Sequence, residues 1–187
     1  MKTYTKTDRL IIREIELSDI DDMFEMDSDP EVRKFIDQSP NQKKEEITDV
    51  IHFIRIQYEE NGIGRWAVVD KETDEMLGWC GLKYFREPLN GKVNIYEFGY
   101  RFKQKHWGKG YATESSVAIL KWAFENLHID TIYAITHPEN EASMHVLKKL
   151  GFEFKEFFLF DYFGNEKCTW FELSKEDFLN TYFNKKK

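Results

Sequence analysis

Cysteine, proline and long apolar runs are scarce in this sequence. The 187 residues include two cysteines, Cys80 and Cys168, and four prolines. Two cysteines this far apart form neither a dense disulfide framework nor a closely spaced metal site, so they fit a reducing cytoplasm. No apolar run approaches the length of a membrane span, and near the N-terminus Arg13 and Glu14 interrupt the run at residues 10–12. We therefore expect a cytoplasmic protein without a secretory signal or a membrane span.

Basic residues are fewer than acidic ones, with 27 lysines and arginines against 34 aspartates and glutamates. The formal net charge is −7, and the basic run of the sequence is its last three residues, 185–187. A protein that binds nucleic acid through its phosphates needs a basic surface, so this balance argues against a nucleic-acid partner. An acidic surface would suit a cationic partner such as an amine, although a charge of this size is ordinary for soluble proteins.

Length and composition predict one domain. Hydrophobic residues make up 41% of the chain, which is enough for one substantial core, and 187 residues are too few for two ordinary enzyme domains. Glycine and proline are spread without a low-complexity run, so no long linker is expected. We predict a single domain over residues 1–187, with its core at about 7–177.

Local patterns predict a mixed α/β fold of the α+β class. Alternating and β-branched segments indicate strands at 9–15, 66–69, 76–85, 92–102, 131–136, 153–161 and 167–173. Capping residues and helical spacing indicate helices that start near Ser18, at Asp29-Pro30 (continuing to Ile36), before Ile47, near Ala112, at Asn140 and at Ser174. The helix that contains Ile47 is expected to stop at Asn61-Gly62, and the last two strands to turn at Gly164-Asn165. The acidic stretch 19–31 is expected to be a solvated helix face.

A glycine-containing turn at residues 105–112 lies between a predicted strand and a predicted helix. The strand ends at Phe102 and the helix begins near Ala112, so unpaired backbone N–H groups and the positive end of the helix face one spot. Gly108 and Gly110 leave room for a diphosphate to approach the backbone there. The turn therefore indicates a diphosphate site, although a Gly-x-Gly turn before a helix is also common as a plain connection.

Two familiar phosphate-binding motifs do not match this turn. The sequence contains no Gly-x-x-x-x-Gly-Lys-Ser/Thr string, which excludes a close match to a nucleotide P-loop. Thr113 stands where a Rossmann motif would have its third glycine, and the turn follows antiparallel strands in mid-chain. Lys105 and Lys109 can add positive charge for a diphosphate ligand of another kind.

The turn resembles the coenzyme A loop of the GNAT superfamily of N-acetyltransferases. That loop reads Gln/Arg-x-x-Gly-x-Gly/Ala, and this chain has Lys105-x-x-Gly108-x-Gly110. Lys105 departs from the usual Gln or Arg, a change that a loop binding through backbone amides tolerates. Further segments resemble the RimJ/RimL branch, the ribosomal-protein N-terminal acetyltransferases, at residues 7–13, 29–32, 107–114, 140–143 and 147–152.

The resemblance implies a GNAT-like fold with acetyl-CoA as co-substrate. It implies a central splayed, mixed and mostly antiparallel sheet of about seven strands, flanked by helices, with a slot for pantetheine between the strands at 92–102 and 131–136. A strand N–H near Phe98 or Gly99 would stabilise the developing oxyanion. The residues implied to bind coenzyme A are Phe98, Gly99, Tyr100, Arg101 and Phe102 on the strand, Lys105, His106, Trp107, Gly108, Lys109, Gly110, Tyr111, Ala112 and Thr113 in the turn, and Asn140 and Ser143 on a later helix.

Two residues resemble the catalytic groups of the family. Acetyl transfer needs a neutral amine, and a lysine-like amine is mostly protonated at neutral pH, so a base is useful. Glu97 occupies the position of the acidic residue that relatives use directly or through water. Ser143 is the donor to the departing thiolate that the RimJ/RimL pattern suggests, since Leu147 stands where many relatives have a tyrosine. The alternatives are a charged residue on the wetter face of a strand for Glu97, a first-turn serine for Ser143 and an N-cap for Asn140.

The histidines and the aromatic residues indicate less chemistry. His106, His137 and His145 lie on different elements without ligand spacing, so we expect no metal. The aromatic residues of the strands are expected mainly in the core, with some lining the acceptor slot: Trp66, Trp79, Tyr84 and Phe85.

These features predict an acetyl-CoA-dependent N-acetyltransferase that acts by direct attack in a ternary complex. The predicted acceptor is the α-amine of a protein N-terminus, such as that of a ribosomal protein. Two alternatives stay open: a small amine such as an amino acid, a polyamine or an aminoglycoside-like compound, or a non-catalytic coenzyme A-binding module. Acceptor choice would lie in the loops at 39–44 and 86–91, and the protein would be a monomer or a homodimer.

Overall fold

The structure is a computed structural model that describes residues 2–36, 43–160 and 166–184. Its helices and strands, in chain order, are β1 (Thr3–Lys6), β2 (Leu10–Arg13), α1 (Ile20–Asp27), α2 (Pro30–Arg33), α3 (Lys44–Asn61), β3 (Arg65–Asp70), β4 (Met76–Phe85), β5 (Ile95–Phe102), α4 (Tyr111–Asn126), β6 (Thr131–Thr136), α5 (Glu141–Leu150), β7 (Glu153–Phe160), β8 (Glu166–Ser174) and α6 (Lys175–Tyr182). Short 3₁₀ turns cover Leu17–Asp19 and Gln104–His106.

The strands form one eight-stranded sheet in the order β1-β2-β3-β4-β5-β6-β8-β7. Neighbouring strands are antiparallel except β5 and β6, which run parallel and pair at Glu97–Tyr133 and Phe98–Ala134. By contrast, β4 and β5 pair along the whole of β5. The sheet therefore opens between the carboxyl ends of β5 and β6, which confirms the predicted mixed, mostly antiparallel and splayed architecture.

Helices α1 and α4 pack on opposite faces of this sheet. Trp79 and Arg101 are partners across β4 and β5, and Arg101 is ion-paired with Asp27 of α1. Cys80, the next residue along β4, points to the other face, where its Sγ lies 3.7 Å from the Oγ of Ser116 on α4. The face of β5 that carries Arg101 thus looks towards α1, and the opposite face looks towards α4.

Strand β1 was not predicted, so the sheet has eight strands rather than about seven. Its four residues pair with β2 at the edge of the sheet and are exposed or half-buried. A short, partly polar edge strand carries neither an apolar run nor a clear alternation, which explains why the pattern did not reveal it. The predicted strand 9–15 is shorter than expected and ends at Arg13.

The start of the first helix was predicted wrongly. The carboxylate of Asp19 accepts the backbone N–H of Glu16 at 2.8 Å in a capping box around the 3₁₀ turn, and α1 begins at Ile20 rather than after Ser18. Asp19 is also held by two 2.7 Å hydrogen bonds from the guanidinium of Arg13. The capping pattern of Ser18 and Asp21 was misleading, because Asp19 is the residue held in place, in part by Arg13 of the preceding strand.

The acidic stretch 19–31 is solvated only in part, since the side chains of Asp21 and Glu25 are 76% and 50% exposed. Asp19 and Asp27 are each 3% exposed, and their partners are Arg13 and Arg101. Buried carboxylates persist when they are paired, and the sequence shows the charges but not the partners. The prediction of a solvated face was therefore wrong for Asp19 and Asp27 but is confirmed for Asp21 and Glu25.

Most other boundaries follow local signals. Gly62, with φ of 69°, ends α3 as predicted, and Asn140 and Ser174 accept hydrogen bonds from the first turns of α5 and α6. Helix α2 stops at Arg33 rather than Ile36. Strand β5 begins at Ile95 rather than residue 92, because residues 89–94 form a turn in which two asparagines have positive φ. The predicted turn at 164–165 and residues 39–42 of the predicted connection lie outside the described residues.

Two apolar clusters cover the sheet. The larger one joins the strands to α1, α3, α4 and α6, and the smaller one consists of Leu89, Ile95, Phe160, Cys168 and Trp170. The smaller cluster lies at the end of the sheet where β5 begins. In the ranges that the structure describes, no helix has both the length and the apolar character needed to cross a bilayer.

Candidate active site

A cavity of about 800 Å³ opens where β5 and β6 separate. Its walls come from residues 97–102 of β5, the glycine turn, residues 134–137 and the first half of α5. Residues 31–36 and the sheet residues Arg65, Trp79 and Lys83 close one end. The cavity therefore brings the predicted coenzyme loop, Glu97 and Ser143 together in one space.

The glycine turn has the backbone geometry of an anion site. Gly108 and Gly110 have φ values of 73° and 81°, a region that other residues adopt at a cost. Gly110 precedes the first turn of α4, and no side chain caps that turn. A Cβ on Gly108 would meet nothing within 4 Å, so the backbone there is open to an approaching group. The uncapped N–H groups and the helix dipole fit a diphosphate.

Most of the loop residues predicted to bind coenzyme A line this cavity. They are His106, Trp107, Gly108, Gly110, Tyr111, Ala112 and Thr113. Lys105 and Lys109 are not among its lining residues. The backbone carbonyl of Lys109 instead accepts a 3.1 Å hydrogen bond from the guanidinium of Arg9.

Lys105 turns away from the cavity towards an acidic cluster. Its Nζ lies 2.7 Å from Glu25 and 2.8 Å from Glu75, and Lys103 joins the same carboxylates at 2.8 and 3.1 Å. Burial alone would raise the pKa of Glu75, but hydrogen bonds from Lys105, Lys103 and His106 lower it to about 2. The lysine side chains at the start of the turn thus anchor it to the protein.

A second anchor comes from the β1–β2 turn. Arg9 donates to Glu114 of α4 at 2.7 Å, and Thr7 donates to the same carboxylate at 2.5 Å. The Arg9 guanidinium also lies 4.4 Å from the ring centroid of Tyr111. This clamp was missed in the sequence, because the residues lie about a hundred positions apart and no spacing rule connects them.

Glu97 is buried at the end of the cavity beyond the loop. It is 7% exposed, and its Oε2 accepts a short hydrogen bond from Nη2 of Arg65 on β3. Burial raises the pKa of the Glu97 carboxyl, while the charge and hydrogen bond of Arg65 offset that rise in part. Glu97 is therefore not a solvated strand residue, and its carboxyl faces the cavity in a paired environment.

Ser143 lies across the slot from β5, in the first turn of α5. Its backbone N–H donates to the side chain of Asn140 at 3.0 Å, so Asn140 is an N-cap, and both residues also line the cavity. The hydroxyl of Tyr100 donates to Ser143 Oγ at 3.4 Å, and burial raises the pKa of Tyr100 to about 12. Leu147, one turn later, is 2% exposed and supplies no proton.

The sheet floor beside Glu97 carries a second buried ion pair. Trp79 lies between two guanidinium groups, 5.1 Å from that of Arg65 and 5.2 Å from that of Arg101. Arg101 is paired with Asp27, whose side chain is 4% exposed. Arg65 and the Arg101–Asp27 pair were missed in the sequence analysis, because their partners come from separate elements.

The aromatic residues and histidines singled out in the sequence lie in different environments. Trp66 is fully buried in the core, whereas Trp79 and Phe85 line the cavity. Tyr84 stacks on Tyr96 at the outer part of the hairpin. The three histidines line the cavity from separate elements, and in the described ranges the group of side chains with metal-type spacing is Asp22, Glu25 and Glu75, without a histidine.

A second cavity of about 690 Å³ adjoins the first. The two share Lys83, Phe85 and Phe160 as lining residues. Its other walls are the outer face of α3, where Phe53 and Ile56 are 52% and 48% exposed, and residues 86–90. An apolar surface therefore continues outward from the end of the reaction cavity that holds Glu97.

Known proteins similar to this chain include several acetyltransferases. The family model of the acetyltransferase (GNAT) domain matches residues 9–153. The N-acetyltransferase p20 of Bacillus licheniformis is 36% identical over 156 residues, which cover 83% of this chain and 85% of that protein. The ribosomal protein uS5 alanine N-acetyltransferase of Escherichia coli is 31% identical over 97 residues, 52% of this chain and 48% of that protein.

A solved structure shares the fold at lower identity. It is the ribosomal-protein α-N-acetyltransferase RimL in complex with coenzyme A, with a TM-score of 0.77 and 14% identity over 92% of this chain and 98% of that one. At this identity the likeness concerns the fold alone, whereas the family model and the p20 relative establish membership. The chain belongs to the GNAT family of acetyltransferases, with acetyl-CoA as co-substrate.

Proposed function

We propose that this protein acetylates the N-terminal α-amine of a protein or peptide, by direct attack on acetyl-CoA. The observation that carries the proposal is one cavity that contains the glycine turn at one end and the buried carboxyl of Glu97 at the other. A donor and an acceptor held in that cavity would react without a covalent enzyme intermediate.

The donor would lie along the opening between β5 and β6. The uncapped first turn of α4 and the open backbone at Gly108 suit the diphosphate, and backbone groups of residues 98–102 would pair with the pantetheine amides as a neighbouring strand would. Bound in this way, the donor would place its acetyl thioester near the point where β5 and β6 begin to separate. A backbone N–H of Phe98 or Gly99 would stabilise the oxyanion.

Glu97 would act as the base for the acceptor. The α-amine loses a proton to the carboxylate, directly or through water, and its lone pair then attacks the thioester carbon. The C–N bond forms first and gives a tetrahedral oxyanion. The C–S bond then breaks as the carbonyl re-forms, and the second proton lost by the attacking nitrogen protonates the departing thiolate. The upward shift of the Glu97 pKa makes it a better proton acceptor than an ordinary glutamate.

Ser143 would donate a hydrogen bond to the sulfur that leaves. Its hydroxyl lies on the α5 side of the slot, opposite β5, and accepts from Tyr100 while its own proton stays available. The raised pKa of Tyr100 keeps that phenol protonated at neutral pH. A stabilised thiolate is a better leaving group, and it becomes the thiol of coenzyme A after protonation.

The adjoining cavity supports a peptide as acceptor, because it extends the space next to the reacting end. It begins at Lys83, Phe85 and Phe160, next to the reacting end, and gives room for the residues that follow an N-terminus. The uS5 alanine N-acetyltransferase, similar over half of the chain, is named for an alanine of a ribosomal protein as its acceptor.

The test is a mass measurement on a matched acceptor set. The purified protein is incubated with acetyl-CoA and a lysine-free peptide with a free α-amine, the same peptide with a formylated N-terminus, a formylated peptide containing lysine, spermidine and a free amino acid. We expect one added acetyl group on the free α-amine and none on the formylated peptide that lacks lysine.

The set separates the competing functions. Acetylation of spermidine or of the amino acid, with none on any α-amine peptide, would replace the peptide proposal by a small-amine acetyltransferase. Binding of acetyl-CoA without acetyl transfer to any member would instead indicate a coenzyme A-binding module.

A further inference from the structure

The first residue of β3, Arg65, reaches across two neighbouring strands. Its Nη1 donates to the carbonyl of Gly81 on β4 at 2.8 Å and to the backbone carbonyl of Glu97 on β5 at 3.2 Å. Its Nη2 donates to Oε2 of Glu97. The Arg65 side chain is 15% exposed and that of Glu97 is 10% exposed, so water screens the pair little.

Gly99 makes this path possible. A Cβ at residue 99 would lie 3.1–3.3 Å from three atoms of the Arg65 guanidinium. Gly99 does not have a positive φ, so its backbone conformation does not require glycine. The missing side chain instead leaves the space in which Arg65 crosses β5. The ring of Trp79, 5.1 Å from the guanidinium, adds a further contact.

Other charged groups surround Glu97 from each neighbouring element. Lys83 is its register partner on β4, and burial and the nearby Arg65 lower the Lys83 pKa. Tyr133 is its register partner on β6. The cavity walls add Glu31 and Lys34 from the α2 region, Glu166 from β8 and Arg101 from β5.

Arg65 differs from these groups in its contact with Glu97. Among the described residues, the Glu97 carboxylate has one hydrogen bond, from Arg65 to Oε2. The charge of Arg101 is committed to Asp27. Arg65 alone thus fixes both the backbone carbonyl and the carboxylate of Glu97.

We infer that Arg65 is a positioning residue of the acceptor site, which holds the Glu97 carboxylate towards the reacting amine through the gap that Gly99 leaves. The inference rests on the proposed role of Glu97 as base. With Oε2 held by Arg65, the other carboxylate oxygen is directed to the acceptor. Arg65 itself touches neither the donor nor the amine in this scheme.

The experiment compares pH profiles of kcat/KM for the wild type, Arg65→Gln, Arg65→Lys, Gly99→Ala and the double variant. A base must be deprotonated, so the rate falls as pH drops through the Glu97 pKa. This fall in rate at low pH is the acid limb of the profile. Removal of a cation that lowers the Glu97 pKa moves the acid limb to higher pH. We expect Arg65→Gln to lower kcat by about 10–100-fold and to shift the limb upward.

The conservative variant and the glycine variant sharpen the test. Arg65→Lys keeps the charge and is expected to restore the acid limb, but only part of kcat, because lysine lacks the planar fork. Gly99→Ala should reduce kcat in the wild type and add little in the Arg65→Gln background, since both changes remove the same arrangement.

The control is Arg13→Gln, which breaks another buried arginine–carboxylate pair, with Asp19, outside the cavity. It is expected to lower stability and to leave the acid limb in place. The Glu97 pKa is also measured by NMR of ¹³C-labelled glutamate, which needs no turnover.

The outcomes separate two failures. If Glu97→Gln keeps the acid limb and the rate of the wild type, the proposed base is wrong. If Glu97→Gln abolishes the limb but Arg65→Gln leaves both the limb and the NMR pKa unchanged, Arg65 is a structural residue and the inference is wrong. Additive effects of Arg65→Gln and Gly99→Ala would also overturn it.

Discussion

The two ends of the reaction cavity are built on different physical principles. The glycine turn offers backbone N–H groups, the positive end of α4 and two residues in the left-handed region, with Gly108 open to solvent. The Glu97 end offers charged side chains that are buried on the sheet and paired. A diphosphate suits a backbone site, whereas removal of a proton from the acceptor amine needs a side chain with a tuned pKa.

The Arg9–Glu114 clamp beside the turn is more exposed than the Arg101–Asp27 pair on the sheet. The Arg9–Glu114 clamp beside the turn has side chains that are 46% and 21% exposed. The Arg101–Asp27 pair on the sheet has side chains that are 16% and 4% exposed. Exposed pairs contribute little free energy, but loss of one partner from a buried pair leaves an unpaired charge. Stability should therefore depend more on the Arg101–Asp27 pair than on the Arg9–Glu114 clamp.

The largest expected effect tests this difference in stability. Asp27→Asn should lower the free energy of unfolding by about 3–5 kcal/mol, because Arg101 would stay buried without its carboxylate. Glu114→Gln at the clamp should cost about 1 kcal/mol or less. Urea denaturation of both variants at neutral pH gives the two values. Equal losses would show that burial does not distinguish the two ends.

The next effect concerns the leaving group at the middle of the cavity. Ser143→Ala should lower kcat by about 10–100-fold, because a hydrogen bond to a charged sulfur contributes about 1.5–3 kcal/mol. The backbone N–H of Ser143 still donates to Asn140 in this variant, so the start of α5 is kept. Single-turnover kinetics measure the rate, and Ser28→Ala on an exposed turn is the control. A rate equal to the wild type would assign Ser143 to the helix start alone.

A smaller effect is expected at the turn itself. Gly108→Ala forces a side chain into the left-handed region at about 1–2 kcal/mol, so the affinity for acetyl-CoA should fall about tenfold. Gly62→Ala is the matched control, since Gly62 has a similar φ of 69° and open space around it at the end of α3. It should lose similar stability and bind acetyl-CoA normally in calorimetry. A similar loss of affinity in both variants would point to general destabilisation.

The smallest expected effect is a pH dependence of stability at Glu75, which pairs with Lys103 and Lys105 beside the glycine turn. Glu75 has a folded-state pKa of about 2, against an ordinary value of 4.5. Its contribution to stability is therefore fully present above about pH 4.5 and is lost as pH falls towards 2. Urea midpoints between pH 7 and pH 3 should fall less steeply for Glu75→Gln than for the wild type. Identical slopes would mean that the pairs of Glu75 with Lys103 and Lys105 do not stabilise the fold.

The same contrast explains what the sequence could predict. The turn, the caps at Asn140 and Ser174 and the end of α3 at Gly62 depend on neighbouring residues, and all were predicted. The partners Arg65–Glu97 and Arg101–Asp27 depend on which strands and helices become neighbours, and no spacing rule gives this. Glu97 and Ser143 were assigned their roles through resemblance to a family rather than through their chemistry. Strand β1 escaped because an edge strand needs little hydrophobic pattern.

In the proposed mechanism the glycine turn binds the donor, and Glu97 serves only the transfer step. The most direct measurement is single-turnover transfer by Glu97→Gln from a preformed complex with acetyl-CoA to the α-amine peptide, beside the Kd of that complex. We predict a rate about 100–10,000-fold below the wild type with a Kd unchanged within about twofold. A wild-type rate, or a Kd raised in proportion to the loss of rate, would contradict this division between the two ends of the cavity.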